Sequence, residues 1–102
     1  MWMVDPKLLC RKHLLGEHVE IHMLWGSLIA GRSIAGFLQR GLLEPQHAKF
    51  RHLALVEEMT IRGYSHKSPL PDLLEPLPIG CVDQLKSLQN LKQRCKDCHL
   101  DM

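Results

Sequence analysis

The chain has 102 residues, of which 45% are hydrophobic and 24% charged, and it carries a formal net charge of +2 with seven histidines held in reserve. That length bounds it to one small domain, which buries roughly 65% of its unfolded surface. The charge is too mild to indicate nucleic-acid binding by itself, and the sequence holds no run of about 18 apolar residues that would span a membrane. The start, MWMVDPKLL, lacks a basic region leading into an apolar one, so it does not read as a secretory signal. The four cysteines, Cys10, Cys81, Cys95 and Cys98, are then expected as reduced thiols rather than as a disulfide framework.

Asp5-Pro6 begins the first helix, because Asp can cap and Pro suits the first helical position. This helix is expected to run to about Ser27 or Ile29, before Gly31 and Arg32 break the pattern. At 100° per residue His13, Glu17 and Glu20 fall within about 60° of arc. Leu9 and Leu24 lie on the same wall, so a polar trio is bordered by apolar side chains. Partly desolvated carboxylates of this kind can be tuned for proton transfer. The opposite wall carries Lys7, Arg11, His18 and His22, a potential basic stripe.

Ser33 reads as the cap of a short second helix, IAGFLQRGLL, which Glu44-Pro45 terminates. The third helix opens near Pro45 and continues through HAKFRHLALVEEMTIR, with Phe50, Leu53, Ala54, Val56 and Ile61 supplying much of its apolar face. Gly63 suits the left-handed position past its end. Pro69, Pro71, Pro76 and Pro78 make residues 64–80 an extended loop, and Leu70, Leu73, Leu74 and Leu77 are expected to lay it against the core. A last helix, VDQLKSLQNLKQR, covers about 82–94, with Leu85, Leu88 and Leu91 at a spacing of three. No segment alternates like a strand, so the fold class is all-α: a compact domain of about four helices with a long Pro-rich loop. Residues 1–80 read as the main helical domain. Residues 81–102 read as a helix and cysteine-containing tail packed on it or flanking it.

Several groups stay open on the residues alone. His13 and Glu17 suit either a local (i, i+4) pair or a site, and with Glu20 they form three metal ligands without a fourth. His18 and His22 share a face, but the metalloprotease pattern needs Glu directly after the first His, and Val19 stands there. Cys95-Lys96-Asp97-Cys98-His99 is half of a zinc site that Cys81 would complete, although a second Cys-x-x-Cys is absent; a thiol-bearing tail is the default reading. Trp25, Phe37 and Tyr64 are expected in the core, whereas Trp2 stands beside the amino terminus.

The stretch HLLGEHVEIHMLWG resembles the first-helix motif of the pyrimidine-dimer DNA glycosylases, the family of phage endonuclease V. Its elements here are His13-Leu14, Glu17, Glu20 and Gly26. FRHLALVEEMTIRGYSHK resembles a later helix of that family, ending in Arg62-Gly63-Tyr64. The resemblance implies a compact helical domain that acts on pyrimidine dimers or abasic sites in double-stranded DNA, as a glycosylase and AP lyase without metal or cofactor. It implies an N-terminal α-amine as nucleophile, an imine intermediate and an assisting carboxylate, which by position is Glu20. An α-amine titrates near 7.7–8.0, so a useful fraction is neutral where lysine is not.

Because Trp2 follows Met1, the resemblance implies either that the Met1 amine itself is the nucleophile or that processing differs, with His13 lining the pocket. Val19, Met23 and Met3 occupy positions where the family carries arginines. Arg11, Lys12, Arg32, Arg40, Lys49 and Arg51 are the expected replacements against DNA phosphate. The implied partner is damaged duplex DNA, met by a monomer in the cytoplasm or whichever compartment holds DNA. The alternative is a non-catalytic DNA- or protein-binding module derived from the same fold.

Overall fold

The computed structural model describes residues 1–65, 69–73 and 77–98. Its helices are α1 (Arg11–Ile29), α2 (Ala35–Gln39), α3 (Ala48–Ile61) and α4 (Gln84–Arg94), with 3-10 turns at Pro6–Leu8 and Pro45–His47. Among the described residues there is no strand, as expected for an all-α chain. No helix of the described residues is long and apolar enough to cross a membrane.

α1 and α3 pack together and form the centre of the core. Leu14 and Ile21 from α1 and Leu55 from α3 are wholly buried, with Leu24, Trp25 and Met59 close behind. Each such side chain contributes about 1.5–3 kcal/mol relative to exposure. Leu9 and Val4 add to this core from the amino-terminal segment, and Leu91 adds to it from α4.

The expected first helix is two pieces. Asp5 does cap, its side chain accepting from the Lys7 amide, but the helix it starts is only the turn Pro6–Leu8. Leu9 and Cys10 are extended before α1 begins. The break follows from competition for backbone groups. A continuous helix would send the Cys10 N–H to the Pro6 carbonyl; it donates instead to Cys98 Sγ at 3.2 Å. The carbonyls of Pro6 and Leu9 accept from Arg62 Nη2 at 3.2 and 2.7 Å.

α2 is shorter than expected. Ser33 Oγ accepts from the Ala35 amide at 3.3 Å, and Gly41 at φ +67° turns the chain out of the helix. α3 buries a different face from the one its apolar residues suggest. Phe50 (81%), Leu53 (62%) and Ile61 (68%) are exposed, while Arg51, His52 and Glu58 are buried with Ala48, Leu55 and Met59. A hydrophobic periodicity cannot find a face whose buried members are charged and paired.

The pairing explains why they are tolerated. Glu17 of α1 is 1% exposed and Arg51 of α3 is 7% exposed. Arg51 Nε and Nη2 donate to the two Glu17 oxygens at 2.5 and 2.9 Å, and Nη1 donates to the Val4 carbonyl at 2.5 Å. Glu17 thus pairs with Arg51 rather than with His13, and Arg51, expected on DNA, lies inside the fold.

The loop beyond α3 is non-helical where described, and Leu70 is buried while Leu73 and Leu77 pack against the core. Leu74 and Pro76 lie outside the described residues. Trp25, a core residue as expected, donates through Nε1 to the Pro71 carbonyl at 2.5 Å. The loop's exit is fixed by the 44–46 segment. Gln46 bonds both the N–H and the carbonyl of Gly80, and Glu44 Oε2 accepts from Val82 N–H at 2.7 Å. A Cβ at position 80 would stand 2.1 Å from the Leu43 carbonyl oxygen, so glycine is required for this approach. α4 follows, capped by Asp83, whose side chain accepts from the Lys86 amide. Of its leucine stripe Leu91 is wholly buried, whereas Leu85 is 71% exposed.

The buried pair yields a direct test. Arg51→Leu strands a desolvated carboxylate, so urea unfolding should show a loss of about 3–5 kcal/mol. Glu17→Met combined with Arg51→Leu should recover much of that loss. A single-variant loss below about 1 kcal/mol would show that the pair does not hold the two helices.

Candidate active site

The amino-terminal segment lies across α1 because α3 holds it from below. Arg51 grips the Val4 carbonyl, and Arg62, itself bonded to Glu58 Oε2 at 2.6 Å, grips Pro6 and Leu9. Between these anchors and the terminus, Met3 adopts φ +56°. A non-glycine residue there stores strain of roughly 1–3 kcal/mol, which persists only where both flanks are fixed. The far flank is Met1. Its side chain is fully buried, and its sulfur accepts from the Glu44 amide at 3.4 Å. Met1 is thus an anchor that sinks its side chain and leaves its amine at a fixed point.

At that point the Met1 nitrogen donates to Glu20 Oε1 at 2.7 Å and to the Leu42 carbonyl at 2.8 Å. A tetrahedral amine bonded to its own Cα and to two acceptors has one direction left, which is the lone pair once the group is neutral. Met1 and Glu20 both line a cavity of about 720 Å³. The volume falls within the range of pockets that take small molecules or a nucleotide. Trp2, Met23 and Phe37 contribute apolar wall, and Arg40, Asp83 and Lys86 contribute charge. Glu20 keeps 49% of its side chain exposed, so its carboxylate reaches both amine and solvent.

The other residues singled out in the sequence are distributed unevenly. His13 does not line this cavity. It shares an angular sector with Glu20, but seven residues of helix separate the two by about 10 Å along the axis. Its Nδ1 stands 3.1 Å from Cys10 Sγ and 3.5 Å from Cys98 Sγ, and its ring meets Trp2 edge-on at 5.7 Å. Among the expected basic contacts, Arg40 is at the cavity, lying 5.8 Å from the Phe37 ring. Arg11 lies over the Tyr64 ring and Lys49 pairs with Asp72, while Lys12 and Arg32 are exposed. Lys86 was not singled out, since nothing in the periodicity of α4 marks which lysine turns toward a cavity. Phe37 is 49% exposed, not a core residue.

Two groups of side chains have the composition of metal ligands. His18, His22 and His52 face one another across α1 and α3, with ring centroids 4.7–5.1 Å apart. The expected surface stripe of His18 and His22 is therefore part of the helix interface. Cys10, His13, Cys95 and Cys98 form the second group. Burial pushes the Cys98 thiol up to about 12. Desolvation acts upward on Cys95 too, but hydrogen bonds from the Asp97 backbone, from the Cys98 side chain and backbone and from the Cys10 side chain together hold that thiol below its usual value. The ligand set expected from the tail was different: Cys81 is exposed and lines the cavity instead, and His99 lies outside the described residues.

A family model described as pyrimidine dimer DNA glycosylase matches residues 1–72, which contain the amine, Glu20 and both arginines that hold the amino-terminal segment. No curated protein and no solved structure matches the chain.

Proposed function

From the premise that this chain belongs to the pyrimidine dimer DNA glycosylase family, we propose that it removes damaged pyrimidines through an imine formed on the Met1 α-amine and then cleaves the strand as an AP lyase. The observation that carries this reading is the 2.7 Å contact between the Met1 nitrogen and Glu20 on the wall of a nucleotide-sized cavity. Unreacted, the carboxylate holds the ammonium in place. After loss of a proton, the amine lone pair attacks the sugar C1′. The C1′–base bond breaks, and the base leaves with the bonding pair and takes up a proton.

Ring opening then gives a C1′=N iminium whose positive charge lies beside Glu20. A carboxylate here stabilises that cation and relays the protons that ring opening requires. Loss of a C2′ proton expels the 3′ phosphate oxygen and breaks the strand, and water releases the enzyme from the imine. Reaching C1′ demands a nucleotide displaced from the stack, which costs a few kcal/mol and least at a damaged site. Trp2, Met23 and Phe37 offer apolar surface to a displaced base. Arg40 and Lys86 are the cations placed to meet phosphate at the rim, and Arg51 has no such role because its guanidinium is buried.

Borohydride added to the protein with an abasic duplex should trap a covalent adduct, and peptide mapping should put the sugar on the Met1 nitrogen, with the intact mass showing Met1 retained. An adduct on a lysine, or none from protein with a free amino terminus, overturns the assignment; the latter favours a binding module without chemistry. Glu20→Gln keeps the shape but not the charge, and single-turnover cleavage should slow by about 10²–10⁴-fold with DNA affinity little changed.

Binding itself supplies another measurement. Arg40→Ala and Lys86→Ala should each reduce the slope of log affinity against log salt by about 0.9, whereas Arg11→Ala should leave it nearly unchanged.

A further inference from the structure

We propose that Cys10, His13, Cys95 and Cys98 bind a structural zinc ion that staples the carboxyl-terminal segment to the start of α1. The four side chains offer three sulfurs and one imidazole nitrogen, a complete tetrahedral set with no position left open. Their ligand atoms all lie within 4.8 Å of one another. Zinc bonds of about 2.3 Å to sulfur and 2.0–2.1 Å to nitrogen put two sulfurs roughly 3.8 Å apart and a sulfur and nitrogen roughly 3.5 Å apart. The Cys10 and Cys95 sulfurs are 3.7 Å apart, and the His13 Nδ1 distances are 3.1 Å to Cys10 and 3.5 Å to Cys98. A disulfide needs sulfurs near 2.05 Å and engages only two of the four groups.

Cys10 is the residue preceding the first turn of α1. Its backbone N–H donates to Cys98 Sγ at 3.2 Å, the outer contact that orients a metal-bound sulfur. Cys10 and His13 are one helical turn apart, and Cys95 and Cys98 form a Cys-x-x-Cys pair directly after α4. Binding releases the thiol protons to solvent, and three thiolates with a neutral imidazole leave the centre at −1. Cys10 and His13 fall within the family match over residues 1–72; Cys95 and Cys98 do not. The site therefore joins residues inside the matched span to residues beyond it.

Protein produced in ordinary medium and purified without a metal-affinity step should contain one zinc per chain by mass spectrometric metal analysis. Cys95→Ser and Cys98→Ser should lose it, and Cys81→Ser and His52→Ala should keep it. Cobalt substitution of the unaltered protein should give thiolate-to-metal charge-transfer bands and tetrahedral visible bands, which report sulfur ligation even where a variant fails to fold. Three results overturn the proposal. One is folded, reduced protein that neither contains nor takes up zinc. Another is zinc kept by Cys95→Ser/Cys98→Ser and lost by His52→Ala, which moves the metal to the histidine group. The third is a mass deficit that reports a disulfide among these cysteines. Metal content is read without DNA, so this result stands apart from that of the trapping experiment.

Discussion

The guanidinium of Arg51 is the joint on which the molecule turns. It satisfies both oxygens of Glu17 and the carbonyl of Val4, and so ties α3, α1 and the amino-terminal segment at one buried point. Such a pair is not an efficient source of stability, because desolvating two ions costs about as much as their attraction returns. An apolar pair of equal volume would hold α1 against α3 at least as well. It would have nothing to offer the Val4 carbonyl. What the ion pair adds is direction: the segment before Val4 can lie only where its backbone meets the fork, and Met1 is then within reach of α1.

Glu17 and Glu20 divide two tasks along one helix. They are three residues apart, about 4.5 Å of axial rise, yet one is sealed and the other half open. The sealed carboxylate fixes the register of α1 against α3. The open one meets the amine at the cavity. A change that displaced α1 by a fraction of a turn would break the first contact and mis-set the second, so stability and site geometry are coupled through the helix itself. Met3 in its left-handed conformation shows the same coupling from the other side, since the fold spends strain to bring the terminus round.

How much of this the sequence displayed depended on the range of each signal. Local chemistry was legible: Asp5 caps as its position suggests, Gly63 turns the chain after α3 at φ +83°, and the proline run forms a non-helical loop that lays Leu70 on the core. The apolar flanks on one helix face marked His13, Glu17 and Glu20 together, and only the family resemblance singled out Glu20 among them. Partners from distant segments were not. A helical wheel gives angle and omits axial distance, which is why His13 was grouped with Glu20 and proves to face Cys10 and Cys98. Apolar counting on α3 selected Phe50 and Leu53, because a charged face is recognised as a core face only once its counter-charge is known. Cys98 is 85 residues from His13, and no spacing rule joins them.

α4 brings these threads together. With its cap Asp83 it lines the cavity through Lys86, Ser87 and Asn90, yet among its own residues only Ser87 and Leu91 are buried. So little apolar burial cannot hold a cavity wall in a chain of this size by itself. Its leading end is fixed by Glu44 and Gln46 through Val82 and Gly80, next to the amide that bonds the Met1 sulfur. Its trailing end runs into Cys95 and Cys98, beside the first turn of α1. A helix pinned at both ends and lightly packed between them keeps its position without filling the space beneath it. A wall that stands off from its neighbours around an open cavity is held by that combination, and a metal at Cys95 and Cys98 would set the trailing end where hydrophobic packing does not.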